Sequence, residues 1–278
     1  MNPRKKIFKD NLFKFIIMLF SFVSVTPLFF ILFQIVRNGI SSISINFILK
    51  LPKGPGESGG GILNSIIGTF IIITIAIIIS VPIGISAGIY LNEYKNRFAE
   101  LLKVIVNVLQ GLPSILIGII AYLWVVKPMR GFSALSGGIA LALMMLPMVI
   151  KSTEETLKLI PHSLKEASYA LGVSYKDTIL KVILPSGFSG IASGIFIGIA
   201  RITGETAPLL FSAFGNPFVN LNPFKPVDAI PLLIFNYAMS PYESWHKIAW
   251  GASFLLVAGV LILNIIIKMA GEKWKVKF

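Results

Sequence analysis

The stretch Lys165–Pro185, KEASYALGVSYKDTILKVILP, is a polar island between long apolar runs. Its pattern predicts two short helices joined by a turn. Leu164, Ala167, Ala170 and Leu171 put an apolar stripe on one face of the first helix. Gly172 ends that helix, because a left-handed C-terminal cap is unstrained only for glycine. Ser174 is placed to cap the second helix, with Asp177 three residues on in capping-box position. Pro185 closes the unit before the next apolar run. A polar helix-turn-helix set inside so apolar a chain predicts a docking element.

The rest of the chain sets the solvent. Its 278 residues are 55% hydrophobic and 13% charged, with a mean hydropathy of +0.83. Soluble domains carry about 25% charged residues. The chain therefore reads as an all-α integral membrane protein, since open strand edges cannot face lipid. The net charge of +13 would suggest nucleic acid in a soluble chain. Here basic loops held on the cytoplasmic side account for it, and no nucleic-acid partner is expected. With no cysteine, disulfides, thiolate metal sites and a cysteine nucleophile are excluded.

Six spans of roughly 17–25 residues or more are expected: 15–36, 62–91, 104–126, 132–150, 186–213 and 248–267. The second and fifth exceed the bilayer and must tilt, kink or protrude. Pro82 and Gly84 could kink the second, and Pro113 the third. The basic N-terminus precedes a run too long for a cleaved signal peptide, so the first span reads as uncleaved. With the N-terminus inside, the inner segments hold 17 Lys and Arg in 72 residues and the outer ones seven in 64. Both termini and the 165–185 unit are thereby assigned to the cytoplasm. The chain divides into residues 1–61 (N-terminus, first span, first outer loop), a core region 62–270 with the other five spans, and a tail 271–278.

Between spans, the loop 37–61 contains LPKGPGESGGG, and its Pro and Gly predict no regular structure. Gly59–Gly61 read as a flexible linker, because no GxxxxGK[ST] follows anywhere in the chain. The third span carries Asn107, Gln110 and Ser114 around a Gly111-Leu112-Pro113 break. Such a break is tolerated in a bilayer against protein or a water-lined cavity, so it reads either as pathway lining or as a packed kink. Ser152 and Glu155 form a second capping-box pattern, predicting a short inward helix that Pro161 ends.

The fifth span, SGFSGIASGIFIGIARITGETAPLLFSA, repeats glycine at 190, 194 and 198, a narrow face for close helix packing. Arg201 and Glu205 are four apart and are predicted to share a helix face, pointing into the protein. Thr203 and Thr206 flank them, and Pro208 weakens the helix near the outer boundary. Two readings stand: Arg201 faces an anion in transit with Glu205 modulating it, or the pair holds helices together. In the last outer loop, Asp228 and AIPLLIFNYAM predict a short amphipathic helix, on the membrane or lining a vestibule. Phe224, Phe235, Tyr237, Tyr242 and Trp245 suit an interface. His162 and His246 fall on opposite sides, His162 reading as a solvated loop residue, and no HExxH, GxSxG or Cys/His cluster occurs, so no catalytic site is expected.

Glu166-Ala167-Ser168, Gly172 and Val182-Ile183-Leu184-Pro185 resemble the EAA loop of ABC importer permeases, with Ser168 and Val182 as the two departures. GGGILNSIIGTF (59–70), LNEY (91–94), LPSILIGI (112–119), FSALSGG (132–138), STEETLKLIP (152–161) and ARITGETAPLLFSA (200–213) extend the resemblance to the permeases of phosphate importers, nearer the PstA-type than the PstC-type. The resemblance implies a type I importer permease fold in a bacterial or archaeal cytoplasmic membrane. It implies a second, PstC-type permease, two ATPase subunits inside and a phosphate-binding protein outside. ATP and Mg would be used by the ATPase subunits, with no cofactor bound by this chain. Glu166, Ala167 and Gly172 fall on the family's coupling helix and its turn, Leu184 and Pro185 on the loop's closing residues, and Arg201 and Glu205 on its intramembrane Arg and Glu. Two alternatives stay open: a same-fold permease for another oxyanion or small solute, and a secondary transporter using Glu205 as a proton relay.

Overall fold

The computed structural model describes residues 3–57 and 59–273. Along the chain run α1 (Pro3–Gly39), α2 (Ile45–Leu49), α3 (Leu63–Glu93), α4 (Arg97–Gly111) and α5 (Ser114–Met129). They are followed by α6 (Ala134–Lys158), α7 (His162–Ala170), α8 (Tyr175–Ser186), α9 (Phe188–Thr203), α10 (Ala207–Leu210), α11 (Ile230–Ala238) and α12 (Glu243–Lys273). Among the described residues the one β-type pairing is an isolated bridge between Phe214 and Val227.

α1, α3, α6 and α12 are each long and apolar enough to cross a membrane unaided. Two bent helix pairs are long and apolar enough to make up to two more crossings. α4 meets α5 at 110°, and α8 meets α9 at 67°. Packing shows why the first pair must cross. Gly84 lies against Val149 and Gly88 against Thr153, while Ile75 meets Gly138, so α3 and α6 run parallel. The chain between them has to return through the bilayer, and only α4 and α5 are available. α9 runs antiparallel to α6, with Gly190, Gly194 and Gly198 against Thr156, Ser152 and Met145. The glycine face predicted from the four-residue repeat is therefore the face that meets α6. Gly194 is the tightest point: a Cβ there would fall 1.8 Å from Ser152 Oγ.

The core is built on the α3–α6 seam. Ile72, Ala76, Leu141, Met145 and Val149 are buried there together with Ile202 and Leu209. α1 meets the bundle at its C-terminal end, where Gly39 packs on Trp250 and Phe254 of α12. From Leu12 to Val36 it is largely apolar and exposed, as a helix surrounded by lipid or partner protein is. α12 continues beyond residue 270 to Lys273, and residues 274–278 of the expected tail lie outside the described residues.

Several expectations are corrected. The third span is not one kinked helix: Leu112 is extended (φ −70°, ψ 132°), as a residue before proline prefers to be. The fifth span is also interrupted. α9 ends at Thr203, Gly204 follows as its cap, and Pro208 sits in the first turn of α10, where its missing N–H does no harm. Arg201 and Glu205 thus do not share a helix. α6 runs unbroken through Ser152, so no second capping box forms; Ser152 Oγ instead donates to the Gly190 carbonyl at 3.2 Å. Glu154 lies in the last turns of that helix, paired with Lys158 at 2.6 Å and Lys103 at 3.6 Å.

The loop before α3 is ordered rather than a flexible linker. α2 buries Phe47, and the amides of Gly61, Ile62 and Leu63 donate to the carbonyls of Leu51, Phe47 and Lys50. Of the two placements expected for α11, the structure shows it lining a cavity, with its first residues, Ile230 to Leu233, buried.

Candidate functional site

The α7–turn–α8 unit folds as its sequence predicts, with one change of facing. Gly172 adopts φ +75°. Its amide donates to Tyr169 O at 2.9 Å and that of Val173 to Ser168 O at 3.2 Å, the paired bonds of a glycine-closed helix end. Ser174 Oγ then accepts the Asp177 amide at 3.2 Å and opens α8. Lys181 and Ser174 hold the Asp177 carboxyl below its usual range. Of the predicted apolar stripe only Leu164 packs inward. Ala167, Ala170 and Leu171 face out, Leu171 being 84% exposed. Ser168, the departure from the EAA pattern, is buried and bonds Thr178 Oγ1 at 2.8 Å, tying the two arms together.

Neighbouring residues on α7 point opposite ways. Glu166 is exposed and touches only His162, on its own helix, at 3.1 Å. His162 is the first residue of α7 rather than a loop residue. Lys165 turns inward to Glu93 at the end of α3. Leu184 packs in the cluster of Leu157, Ile179, Ile183 and Ile191, and Pro185 lies exposed in the last turn of α8.

The second group of predicted residues gathers where the two helix breaks meet. Gly118 of α5 packs against Pro208 of α10, and Ser114, the first residue of α5, stands beside Glu205. Arg201, on the last turn of α9, approaches Glu205 at 3.9 Å. That is longer than a charge-assisted hydrogen bond. Its other polar contact is Met148 Sδ at 3.8 Å from a terminal guanidinium nitrogen. The Arg201 side chain is 50% exposed, so it does not point into the subunit as its charge predicted. It lies on an open face instead. Thr203 spends its hydroxyl on Ile199 O at 2.7 Å, and the Thr206 carbonyl accepts the amides of Leu209 and Leu210.

Beside this break lies a cavity of about 510 Å³ lined by Gln110, Met148, Lys151, Ser152, Ser193 and Gly194 among others. Lys151 Nζ donates to Gln110 Oε1 at 2.6 Å. The cavity thus carries a cation, Lys151, and shares Met148 with Arg201. A larger cavity, about 540 Å³, opens at the other end of α3, between Pro52–Pro55, Asn216–Phe218 and the stacked rings of Tyr237 and Trp245. At its base Asp228 is buried, accepting from Ser65 Oγ at 2.5 Å and Asn64 Nδ2 at 3.4 Å. Burial pushes its carboxyl up to about 6.

The sequence reading missed Lys151, Met148 and the buried Asp228. Lys151 counted as one inner charge among several, and Asp228 was read only as the start of a short amphipathic helix, without its burial. Among the described residues no group of three or more His, Cys, Asp or Glu side chains could hold a metal ion.

The comparisons with known proteins agree with this architecture. The family model for the binding-protein-dependent transport system inner membrane component matches residues 80–274. The phosphate transport system permease protein PstA of Yersinia pestis is 42% identical over 250 residues, covering 89% of this chain and 85% of its own length. A probable phosphate transport system permease protein PstA of Methanocaldococcus jannaschii is 38% identical over 276 residues, covering 97% and 98%. A solved inward-facing structure of the MetNI methionine ABC transporter superposes with a TM-score of 0.57 at 18% identity, over 77% of this chain and 92% of that one. An amino acid ABC transporter solved with histidines gives 0.53 at 14% identity, over 91% and 97%. At such identities the two structures speak for the fold alone. With a matching family model over most of its length and a helical membrane fold to go with it, this chain belongs to the binding-protein-dependent transport system inner membrane components, the permeases of ABC importers.

Proposed function

We propose that this chain is one of two permease subunits of an ATP-driven importer of inorganic phosphate, forming half of the pathway. The observation that carries the reading is the half-exposed Arg201 at the meeting of two broken helices. Its guanidinium has five donors, and a loose ion pair with one sulfur contact leaves most of them for an anion. An open face is where a pathway runs if a second, PstC-type permease closes it from the other side. Phosphate, among anions, is favoured by the names of the relatives in Yersinia pestis and Methanocaldococcus jannaschii.

The mechanism follows from the two sites. Two ATPase subunits, which use ATP and Mg, receive the exposed knob of Glu166, Ala167, Ala170 and Leu171 in a cleft. Gly172 holds the knob's shape, and Leu184 and Pro185 root it in the bundle. Closure of the ATPase dimer moves the knob as a rigid body, and the broken helices open to one side and then the other. An extracytoplasmic binding protein delivers phosphate at the face opposite the knob, both termini being cytoplasmic. Arg201 presents positive potential, Glu205 keeps it from holding the anion too long, and Thr203 and Thr206 shape the break. Tight binding there would slow release.

The test is uptake by vesicles holding the complete complex. ATP-dependent accumulation of phosphate, stimulated by the binding protein, is expected. Preferential uptake of sulfate or molybdate would replace the substrate. Uptake driven by a pH gradient with no ATPase present would replace the mechanism.

A further inference from the structure

Glu93 is the last residue of α3, and that helix has no basic residue in its final turn. A carboxylate at a helix C-terminus is opposed by the macrodipole, so its partners must lie elsewhere. Lys165 Nζ lies 2.5 Å from Oε1, Asn92 Nδ2 donates to the same oxygen at 2.8 Å, and Tyr175 Oη donates to Oε2 at 3.3 Å. Lys165 and Tyr175 belong to the two arms on either side of the Gly172 turn. Glu93 is therefore pinned to both arms of the coupling unit at once. The ion pair is shielded, its side chains only 16% and 9% exposed, so salt screens it weakly. Meanwhile the adjoining Glu166 faces outward.

Two covalent or packed routes lead from the coupling unit into the bundle. The route through α8 and α9 is compliant. α8 widens into a π-turn over Thr178–Ile183, bends 67° into α9, and α9 stops at Thr203. The route through α3 is a single helix of 31 residues, about 46 Å at 1.5 Å per residue. Its far end is pinned as well. Ser65 and Asn64 hold Asp228, and Thr69 Oγ1 accepts the Ile230 amide at 2.8 Å.

We infer that α3 carries the coupling movement across the membrane, gripped at one end by the Lys165–Glu93–Tyr175 clasp and at the other by the Asp228 cluster. Glu93, Lys165 and Tyr175 are then positioning residues: they touch neither phosphate nor ATP. This rests on the reading of α7 as the ATPase-coupling helix.

The experiment measures phosphate moved per ATP hydrolysed by the complete complex in vesicles with its binding protein. Glu93→Gln and Lys165→Met are each expected to lower that ratio about fivefold, and Tyr175→Phe about twofold. The double exchange Glu93→Lys with Lys165→Glu is expected to recover most of the loss. Co-purification of the ATPase subunits should persist in all. Singles that keep the wild-type ratio overturn the inference, as does a double exchange no better than the singles. If the charge variants fail to assemble, Tyr175→Phe decides, since it removes one hydroxyl from a partly exposed ring: a wild-type ratio overturns the clasp. A wild-type complex that moves no phosphate would instead overturn the functional reading beneath it.

Discussion

Two helix pairs at the centre of this protein are built in opposite ways. α3 and α6 run parallel, unbroken and buried, joined where Gly84 and Gly88 admit Val149 and Thr153. The spans that contain α5 and α9 are each interrupted, at 111–113 and 204–206, where α5 packs on α10 through Gly118 and Pro208 and where Ser114, Glu205 and Thr206 are part-exposed. In a bilayer an intact helix satisfies its own backbone, while a broken one needs protein or water at the break. The first pair has the construction of a frame and the second that of a passage. The contrast also explains why Arg201 is tolerated. A charge facing lipid at mid-bilayer costs about 2.5–3.5 kcal/mol on insertion scales, whereas one at a break on an open subunit face has water or a partner to meet.

The sharpest way to break this contrast is to reverse the charge in the passage. Arg201→Glu should lower phosphate uptake by about a hundredfold or more, because reversing one charge at reduced dielectric is worth several kcal/mol and each 1.36 kcal/mol is tenfold in rate. The complex should still assemble, since Arg201 makes only long contacts to Glu205 and Met148. Uptake assays alongside co-purification check both halves. Normal uptake would reduce Arg201 to a packing residue and erase the distinction between the two pairs.

The frame should fail differently. A Cβ at Gly88 would fall 2.5 Å from Thr153 Cβ and 2.8 Å from the Ile150 carbonyl. Gly88→Val therefore overpacks the seam, at a cost of about 1–3 kcal/mol. The expected result is a lower thermal midpoint for the assembled complex, with phosphate moved per ATP unchanged in whatever folds. The coupling movement carried by α3 requires α3 and α6 to move as one body, so a variant that folds as well as wild type but transports poorly would mean that they slide past one another instead.

The frame was the more legible of the two. Uninterrupted apolar runs with small residues at regular spacing specify long packed helices, and the Gly190, Gly194, Gly198 repeat of α9 named the face that meets the frame at α6. The turn at Gly172 was equally plain, because a positive φ needs glycine where the chain must reverse. The passage was harder to read. Gly111-Leu112-Pro113 and Pro208 mark the two interruptions, but the size of a bend depends on what packs beside it. The polar clasps could not be read at all. Glu93 and Lys165 are 72 positions apart, and Ser65 and Asp228 are 163 apart. Each looked like a solvated charge or a helix-face hydroxyl until the fold brought it to its partner.

The smallest effect tests the far pin of the frame. Asp228 is buried beneath the larger cavity, with hydroxyl and amide partners and no cation bonded to it among them. Burial raises its carboxyl from 3.8 to about 6, against the opposing pull of Ser65 and the Ala229 amide. Between those two values the folded protein holds a proton that the unfolded chain has lost. Asp228 therefore favours folding below about pH 4, and that contribution is lost as pH rises through 6. Acidification from pH 7.5 to 5 should recover about 1–2 kcal/mol from this group. In Asp228→Asn that component of the pH dependence should vanish, while an amide can still accept from Ser65 and keep α3 joined to the segment before α11. The check is the thermal midpoint of the assembled complex across that pH range for wild type and variant. An identical slope in both would mean that Asp228 titrates as an ordinary solvated carboxylate and that the far end of α3 is held by packing alone.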